Sequence, residues 1–320
     1  MKKRYKERIW KQAKRIWAWK WHTKTLFIIF IISVIFFLFL IFKTGLIFKG
    51  QIDKRDLSYW NYNEKGVIVG AEGFEIQGNK ETCWLLIHSY SSTPIEMKEV
   101  SEIINHEFGD FVFVLRLEGH GEVPSHITNL SLNGWYKQVE KDFDILKSEC
   151  DNVNVVGNSF GGALTLKLAE QKDLKNVYLS NAYIKPRDKW FYGMPLRFYI
   201  NYFSDYLIYI EKLKVGQIND PEGLKKHIAY RNFPMQPVKN SFEFLDIGIN
   251  ETWKVTEPIL ILHSPNDITA DYDIMNEIIE DVSSDVKELK KFPKSNHILL
   301  LDYDKEEVIK SIIEFERENR

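Results

Sequence analysis

The sequence predicts an α/β domain, a mostly parallel sheet with helices on both faces, preceded by one transmembrane helix. After residue 65, short apolar runs alternate with segments of helical period, a pattern typical of βαβ units. Before residue 65, the eighteen residues 25–42 carry no charge. Strands are predicted at Val67–Val69, Trp84–His88, Phe111–Leu117, Val153–Gly157, Val177–Asn181, Ile259–His263 and Val286–Phe292. Helices are predicted at Pro94–Phe108, Leu132–Glu149, Phe160–Gln171, Asp271–Val282 and Lys305–Arg317.

The charge-free run predicts a membrane-spanning helix. As a helix, residues 25–42 would span about 27 Å, close to the thickness of the hydrocarbon core of a bilayer. Trp17, Trp19 and Trp21 precede the run, where indoles favour the membrane interface. The alternatives are a buried core helix and a cleaved signal peptide. The long basic region and the lack of a small-x-small cleavage site in residues 43–48 disfavour the signal peptide.

Charge distribution predicts the orientation of this anchor. Residues 1–24 contain ten Lys or Arg and one acid, Glu7, which leaves 33 basic and 44 acidic residues, a net charge of −11, in the remainder. The positive-inside bias puts residues 1–24 in the cytoplasm and the chain beyond a polar stalk at 43–65 on the far side of the cell membrane. Anionic lipid beside the basic segment explains its charge without a nucleic-acid partner.

Residues 186–256 interrupt the alternation within the folded region 66–320. The segment's aromatic residues are Trp190, Phe191, Tyr192, Phe198, Tyr199, Tyr202, Phe203, Tyr206 and Tyr209, and its prolines include Pro195, Pro221, Pro234 and Pro237. An insertion of this size between two strands is either a separate packing unit or a cap over a site. Its apolar character favours a cap.

The two cysteines, Cys83 and Cys150, have no metal-ligand spacing, so no structural zinc is expected. Each precedes a predicted core strand. If the two strands are neighbours, a disulfide is conceivable outside the cytoplasm. Two unpaired, half-buried thiols are the favoured prediction.

A G-x-S-x-G pattern supplies the first candidate catalytic residue. The apolar run ending at Val156 leads into Gly157, Ser159 and Gly161, and an Ala/Leu-rich helix is predicted to follow. This is the strand, sharp turn and helix of a nucleophile elbow, in which a serine hydroxyl is lifted above the end of a sheet. Glycine at the flanking positions leaves room where strand and helix approach closely.

A serine nucleophile needs a base, and the base needs an acid to orient it. Asp267 follows the predicted strand 259–263, and His297 follows the strand that ends at Phe292. Ser159, Asp267 and His297 thus occur in the chain order of a hydrolase triad, each just beyond a strand.

Three other residues compete for these roles. His263 lies inside a strand and is interpreted as structural, and His120 follows a strand and is interpreted as part of the pocket wall. Asp271 is the rival acid, but it better suits the start of a helix, where its charge favours the dipole.

Stabilising a tetrahedral oxyanion requires hydrogen-bond donors. The backbone N–H of Phe160, next to the nucleophile, is one predicted donor, and the N–H of Tyr90, in the loop after strand 84–88, is the other. The same loop also reads as an ordinary strand-to-helix turn, with Thr93 as N-cap and Pro94 in the first helical turn. The two interpretations are compatible.

Five segments of the chain carry a family resemblance: Ser92–Met97, Arg116–Gly121, Gly157–Leu164, Tyr230–Pro234 and Asn296–Asp304. Through these segments, residues 65–316 resemble a bacterial carboxylesterase/monoacylglycerol-lipase family of the α/β-hydrolase fold. The resemblance implies hydrolysis of carboxylic esters, often acylglycerols, without a cofactor. Two positions depart from the family: Ser89 replaces a glycine after the oxyanion-loop histidine, and Glu118 replaces a proline. A side chain at 89 would narrow the oxyanion hole or change its backbone angles.

The expected protein is therefore a membrane-anchored serine hydrolase of esters with an apolar acyl chain, with no metal and no cofactor. An acyltransferase or a thioesterase would use the same triad. A catalytically inactive α/β-hydrolase fold, serving as a membrane receptor or scaffold, is the alternative from another functional class. The departure at Ser89 motivates that alternative, whereas the complete triad argues against it.

Overall fold

The computed structural model describes residues 2–44, 49–128, 130–187, 190–191, 194–204, 208–211 and 217–320. The first helix, α1 (Lys2–Thr44), contains the stretch Trp21–Phe39, nineteen residues with a mean hydropathy of 2.2 and none of them buried. This stretch overlaps the span predicted at 25–42. Its length and composition suffice to cross a bilayer, so it is a possible anchor or signal sequence.

Seven described strands form one sheet in the order β1-β3-β2-β4-β5-β10-β11. Their bounds are β1 (Phe74–Ile76), β2 (Asn79–Ile87), β3 (Asp110–Leu115), β4 (Asn152–Asn158), β5 (Val177–Ser180), β10 (Ile259–His263) and β11 (Lys287–Lys291). Only β1 is antiparallel to its neighbour in this sheet; the other pairings are parallel. The predicted α/β class with a mostly parallel sheet is confirmed.

The helices that flank this sheet are α3 (Lys98–Phe108), α4 (Pro124–Thr128), α5 (Leu132–Glu149), α6 (Phe160–Ala169), α10 (Asp273–Asp281) and α11 (Lys305–Glu318). Apolar residues alternate between the two sides of the sheet. In β2, Leu85 and Ile87 pack with α5 and α6, whereas Trp84 and Leu86 pack with α3 and α11. Burial on both faces explains why the strands read as continuous apolar runs.

Two predicted elements differ in the structure. The run Val67–Val69 forms only an isolated bridge between Ile68 and Tyr62, and the edge strand is β1, seven residues later along the chain. The predicted helix Pro94–Phe108 begins as a 3-10 turn, Pro94–Met97, before α3. Both differences occur at element ends or at the sheet edge, where apolar periodicity is weakest.

The prediction of two unpaired thiols is wrong, because Cys83 and Cys150 form a disulfide. Cys83 lies in β2 and Cys150 just before β4, and these two strands are adjacent in the sheet. Adjacency brings the two Cα atoms to 6.0 Å, within the range that a disulfide spans. Both residues are also more deeply buried than predicted, at 0% and 5% exposure.

The segment predicted as a stalk contains a helix, α2 (Lys49–Leu57), that packs on the domain. Ile52 and Asp56 on this helix are buried. The N–H of Ser125, in α4, donates to the Asp53 carboxylate at 3.1 Å. Residues 49–57 are therefore attached to the folded body, whereas residues 45–48 lie outside the described residues.

The described parts of the insertion 186–256 form two short antiparallel strand pairs and three helices. The strand pairs are β6 (Trp190–Phe191) with β7 (Met194–Pro195) and β8 (Tyr209–Glu211) with β9 (Asn232–Pro234). The helices are α7 (Leu196–Phe203), α8 (Pro221–Lys226) and α9 (Met235–Glu243), followed by a π-helical turn at Phe244–Gly248 and a 3-10 turn at Thr252–Lys254. Among the aromatic residues that predicted the cap, Tyr192 and Tyr206 lie outside the described residues.

Candidate active site

Ser159 lies in a sharp turn between β4 and α6. Its backbone is in a strained region, with φ 52° and ψ −115°. A Cβ on Gly161 would overlap the Ile87 carbonyl oxygen of the neighbouring strand, and a Cβ on Gly157 would overlap the Gly161 carbonyl. Only glycine fits at either position, so the predicted elbow geometry is present.

The three predicted triad residues meet beyond the ends of strands β4, β10 and β11 of the same sheet. Ser159 Oγ lies 2.7 Å from His297 Nε2, and His297 Nδ1 lies 2.7 Å from Asp267 Oδ2. All three side chains are buried. One imidazole therefore bridges the serine hydroxyl and the carboxylate, using both ring nitrogens.

The Asp267 carboxylate is held in its charged form. Burial raises its pKa, but the electrostatic interaction and hydrogen bond with His297 outweigh this, with help from the N–H of Thr269, and its pKa lies below the ordinary value. Its second oxygen accepts hydrogen bonds from the N–H groups of Thr269 and Ala270, at 2.7 and 3.0 Å. An anion with these partners can orient an imidazole and stabilise an imidazolium.

The rival residues take other roles. His263 is fully buried 3.6 Å from Asp267, and burial lowers its pKa to about 4, so the ring is neutral at pH 7. Asp271 accepts the N–H of Asp273, the first residue of α10, at 3.1 Å, as expected near a helix start. His120 is buried among aromatic rings, 5.0 Å from Trp135 and 5.8 Å from Tyr90 between ring centres.

Asn181, which no sequence pattern singled out, joins the loop that carries Asp267 (the acid loop) to the loop that carries His297 (the base loop). It follows β5, is fully buried and has a positive φ of 40°. Its Nδ2 donates to the carbonyl oxygens of Asn296 and His297 at 2.7 and 2.8 Å, while its Oδ1 accepts the N–H of Ser264 at 2.7 Å. One side chain thus fixes the spacing of the two loops that carry Asp267 and His297.

Two further carboxylates hold the base loop from its other side. Asp302 Oδ2 accepts the N–H of Asn296 and that of Asn219, both at 2.8 Å. Asp304 Oδ2 accepts the N–H groups of Lys294 and Ser295, both at 2.9 Å. In the sequence, Asp302 directly follows the apolar run 298–301 and Asp304 comes two residues later, but this position alone does not indicate what the carboxylates bind.

The two residues predicted to donate to the oxyanion are Phe160 and Tyr90. The N–H of Phe160 lies in the first turn of α6, where backbone N–H groups have no acceptor within the helix. Tyr90 lies in the loop after β2, directly before Ser91, whose φ is 61°. The ring centres of Tyr90 and Phe160 are 6.4 Å apart, so the two residues are neighbours.

Glu96 holds this loop from behind and is a second residue that the sequence analysis did not select. It is fully buried. Its Oε1 accepts the N–H of Ser89 and, at 3.2 Å, the side-chain amide of Asn158, the residue before the nucleophile. Its Oε2 accepts the Ser89 hydroxyl at 2.8 Å. Burial raises the Glu96 pKa, and these hydrogen bonds offset part of that rise.

Neither departure from the family's pattern disrupts the site's described contacts. Ser89 keeps a negative φ, and its hydroxyl is bonded to Glu96. The N–H of Glu118, which a proline would lack, donates to the Gln138 side chain at 2.8 Å. His88 donates from Nδ1 to the Ser89 carbonyl at 2.8 Å and accepts the Leu117 N–H at Nε2 at 3.1 Å.

Aromatic side chains from domain and cap adjoin the nucleophile. The Phe160 ring lies 5.7 Å from Trp135 and 6.4 Å from Phe244 of the cap, measured between ring centres. Tyr90 packs edge-to-face on Phe233 of β9 at 4.8 Å. An apolar surface with a few placed polar groups suits a ligand with a hydrocarbon part. Within the described ranges, no group of three or more His, Cys, Asp or Glu residues could hold a metal ion.

Comparison with known proteins gives consistent matches. The family Hydrolase_4, described as serine aminopeptidase, S33, matches residues 106–304. The chain is 23% identical over 252 residues to a carboxylesterase of Bacillus subtilis (strain 168), covering 78% of this chain and 97% of that protein. It is 26% identical over 251 residues to a thermostable monoacylglycerol lipase of Bacillus sp. (strain H-257), covering 78% and 95%.

Solved structures share the fold. A metagenome-derived lipolytic enzyme, from a study of LipS and LipT, superposes with a TM-score of 0.70 at 24% identity, covering 79% of this chain and 99% of that one. A Paleococcus ferrophilus monoacylglycerol lipase gives a TM-score of 0.67 at 15% identity, covering 78% and 99%. Because the family match spans well over half of its length, the chain belongs to the Hydrolase_4 family of α/β-hydrolases.

Proposed function

We propose that this protein is a membrane-anchored serine hydrolase that cleaves carboxylic esters with an apolar acyl chain. The observation that carries the proposal is the continuous hydrogen-bonded series from Ser159 through His297 to Asp267, with both contacts at 2.7 Å. Relatives named carboxylesterase and monoacylglycerol lipase support an ester as substrate.

The reaction follows from the site's geometry. His297 Nε2 takes the proton of Ser159 Oγ as that oxygen attacks the ester carbonyl, while Asp267 holds the Nδ1–H and stabilises the imidazolium. The N–H groups of Phe160 and Tyr90 would stabilise the oxyanion. The intermediate collapses as the imidazolium protonates the departing alcohol. Water, deprotonated by the same imidazole, then attacks the acyl carbonyl. The acyl–Oγ bond breaks, Ser159 Oγ takes the proton back from the imidazolium, and the carboxylic acid leaves.

Two features support an apolar acyl group. The rings beside the nucleophile, including Phe160 from the domain and Phe244 from the cap, form an apolar wall. An anchored domain also meets lipid-derived esters at the bilayer surface. We therefore expect the preferred substrate to be an ester with a hydrocarbon chain, such as a monoacylglycerol.

The proposed organisation has residues 1–24 in the cytoplasm, a span at about 25–42, and a domain from about residue 66, with its cap at about 186–256, outside the cytoplasm. The basic N-terminal segment supports this orientation. The disulfide between Cys83 and Cys150 supports it independently, because disulfides persist in oxidising compartments. The membrane is the one macromolecular partner proposed; the basic segment needs no nucleic acid.

The test compares Ser159→Ala with Ser180→Ala in full-length protein. Ser180 is also buried, and its hydroxyl has no hydrogen-bond partner among the described residues, so its loss leaves the triad contacts in place. We expect Ser159→Ala to abolish p-nitrophenyl ester turnover and fluorophosphonate labelling, and Ser180→Ala to retain both. Labelling that survives Ser159→Ala would overturn the assignment.

Product analysis tests the reaction class. Wild-type protein is offered esters of increasing acyl length, with and without glycerol as acceptor, and thioesters of the same chains. Free fatty acid as the main product is expected. If acyl transfer to glycerol gives the main product, the protein is an acyltransferase, and if thioesters are turned over preferentially, it is a thioesterase. If there is neither turnover nor labelling, it is an inactive scaffold.

A further inference from the structure

The juxtamembrane helix α2 carries a buried carboxylate, that of Asp56, which is 0% exposed. Its Oδ1 accepts the N–H of Arg231 at 3.0 Å, and its Oδ2 accepts the side-chain amide of Asn232 at 2.6 Å. Both partners belong to the cap, at the start of β9. A buried carboxylate is costly unless it is hydrogen-bonded, so this contact fixes the cap strand against α2.

The same stretch of cap, residues 227–234, is bonded on its other side to the loop after β2. The bonds run from Tyr90 OH to Pro234 O (2.8 Å), from Tyr230 N to Ser91 O (3.0 Å), from Thr93 Oγ1 to Ile228 O (3.1 Å), and between Ser92 Oγ and His227 Nε2 (2.8 Å). This loop contains Tyr90, the proposed oxyanion donor. The cap segment therefore lies between α2 and this loop (residues 88–93, the oxyanion loop) and makes hydrogen bonds with both.

We propose that Asp56 is a positioning residue for the oxyanion loop, acting through residues 231–234 of the cap. This inference rests on the proposed ester hydrolysis and adds a function for α2. The helix lies outside the family match at 106–304, whereas the cap residues that Asp56 binds lie inside it.

A merely structural role would make Asp56 matter for stability alone. A positioning role predicts a defect in the transition state, because a displaced Tyr90 N–H weakens oxyanion binding more than substrate binding. The discriminating readouts are kcat per titrated active site, KM, and the Ki of a trifluoromethyl ketone, which forms an oxyanion adduct with the nucleophile.

The experiment uses full-length protein in detergent micelles and three substitutions. Asp56→Ala removes both acceptors. Asp56→Asn keeps one acceptor, and the Asn232 amide can turn to present its oxygen, which has no partner among the described residues. Asp53→Ala is the matched control on the same helix, since Asp53 contacts Ser125 of α4 and not the cap strand.

We expect Asp56→Ala to lower kcat about 10-fold and to raise the ketone Ki by a similar factor, with KM changed less than threefold, because even small misplacement of an oriented group costs rate. Asp56→Asn should restore most of the activity, and Asp53→Ala should stay within twofold of wild type. If Asp56→Ala does not fold, Asn232→Ala removes the side-chain bond from the other partner and must give the same pattern.

Wild-type kcat per active site in Asp56→Ala, or an equal loss in Asp53→Ala, would overturn the proposal. Failure of the underlying function is seen separately, as activity that survives Ser159→Ala. The two outcomes are distinguishable. The Asp56 and Asp53 variants test how fast the enzyme works, whereas Ser159→Ala tests whether Ser159 is the nucleophile at all.

Discussion

Asn181→Asp tests whether one buried amide sets the geometry of the acid and base loops. The substitution keeps the size of the side chain, the acceptor for the Ser264 N–H and tolerance of a positive φ. It removes both donors and puts carboxylate oxygen against the carbonyls of Asn296 and His297. The change therefore separates hydrogen-bond donation from shape.

The expected loss of stability follows from these contacts. Two buried carbonyl groups lose their donor, and each unsatisfied buried group costs about 1–3 kcal/mol, so the free energy of unfolding should fall by about 2–6 kcal/mol. The buried carboxyl can relieve this by binding a proton, since a protonated oxygen donates one bond. The deficit relative to wild type should therefore shrink as the pH is lowered from 8 to 5.

The assay is urea denaturation at both pH values, with kcat per titrated active site. We expect kcat to fall on the order of 10-fold to 100-fold, because loosening the two loops misaligns His297 and Asp267. Asn266→Asp is the matched control: its amide, on the same loop as Asp267, donates to the Pro293 carbonyl at 2.7 Å but is exposed. Wild-type stability and kcat in Asn181→Asp, or a deficit that grows at low pH, would refute the reasoning.

Two further predictions concern buried groups. Replacing Cys83 and Cys150 by serine removes a disulfide that closes a loop over a separation of 67 residues, and it should lower the free energy of unfolding by about 4 kcal/mol, measured by urea denaturation. In the wild-type protein both cysteines should resist alkylation until a reductant is added. Rapid alkylation without reductant would contradict the pairing. Glu96→Gln keeps an oxygen for the Ser89 N–H and the Asn158 amide. Because burial raises the Glu96 pKa, folding favours the protonated carboxyl. The wild-type protein should therefore lose stability relative to Glu96→Gln as the pH rises above about 4.5. A difference in melting temperature that is constant between pH 4 and 8 would contradict this.

The triad residues were predictable because their signal is local. Ser159 has glycines at the required spacing, Asp267 follows an apolar strand, and His297 follows the next predicted strand, so the three occur in the required order. In a parallel sheet the carboxyl ends of the strands share one edge, so residues just beyond them converge. The structure brings all three within hydrogen-bond distance, while their catalytic roles stay a prediction for the substitutions above to test.

Asn181 and Asp56 were not predictable in the same way. Asn181 bonds to backbone groups 83 to 116 positions away, and backbone partners leave no pattern of residue types in the sequence. Asp56 lies in a nine-residue helix with several charges, which reads as a solvated stalk. Its burial depends on the cap strand, 175 positions later. Tertiary contacts of this kind override local polarity.

The cysteine prediction failed for a related reason. The two cysteines can pair only if the strands near Cys83 and Cys150 are neighbours in the sheet. The residues of these two strands do not show which strands are neighbours. Strand β3 precedes β4 in the chain but lies on the other side of β2, so β2 and β4 pair directly. That crossover is a property of the whole domain.

The contact between Ser89 and Glu96 bears on whether the site is active. A side chain at position 89 was expected to narrow the oxyanion hole, and it motivated the inactive-scaffold alternative. The Ser89 hydroxyl instead bonds to Glu96, which also holds the Asn158 amide beside the nucleophile. The added side chain thus ties the oxyanion loop to the elbow. A scaffold free of catalytic constraint has no need for this tie, so the departure at 89 fits an active enzyme better than an inactive one.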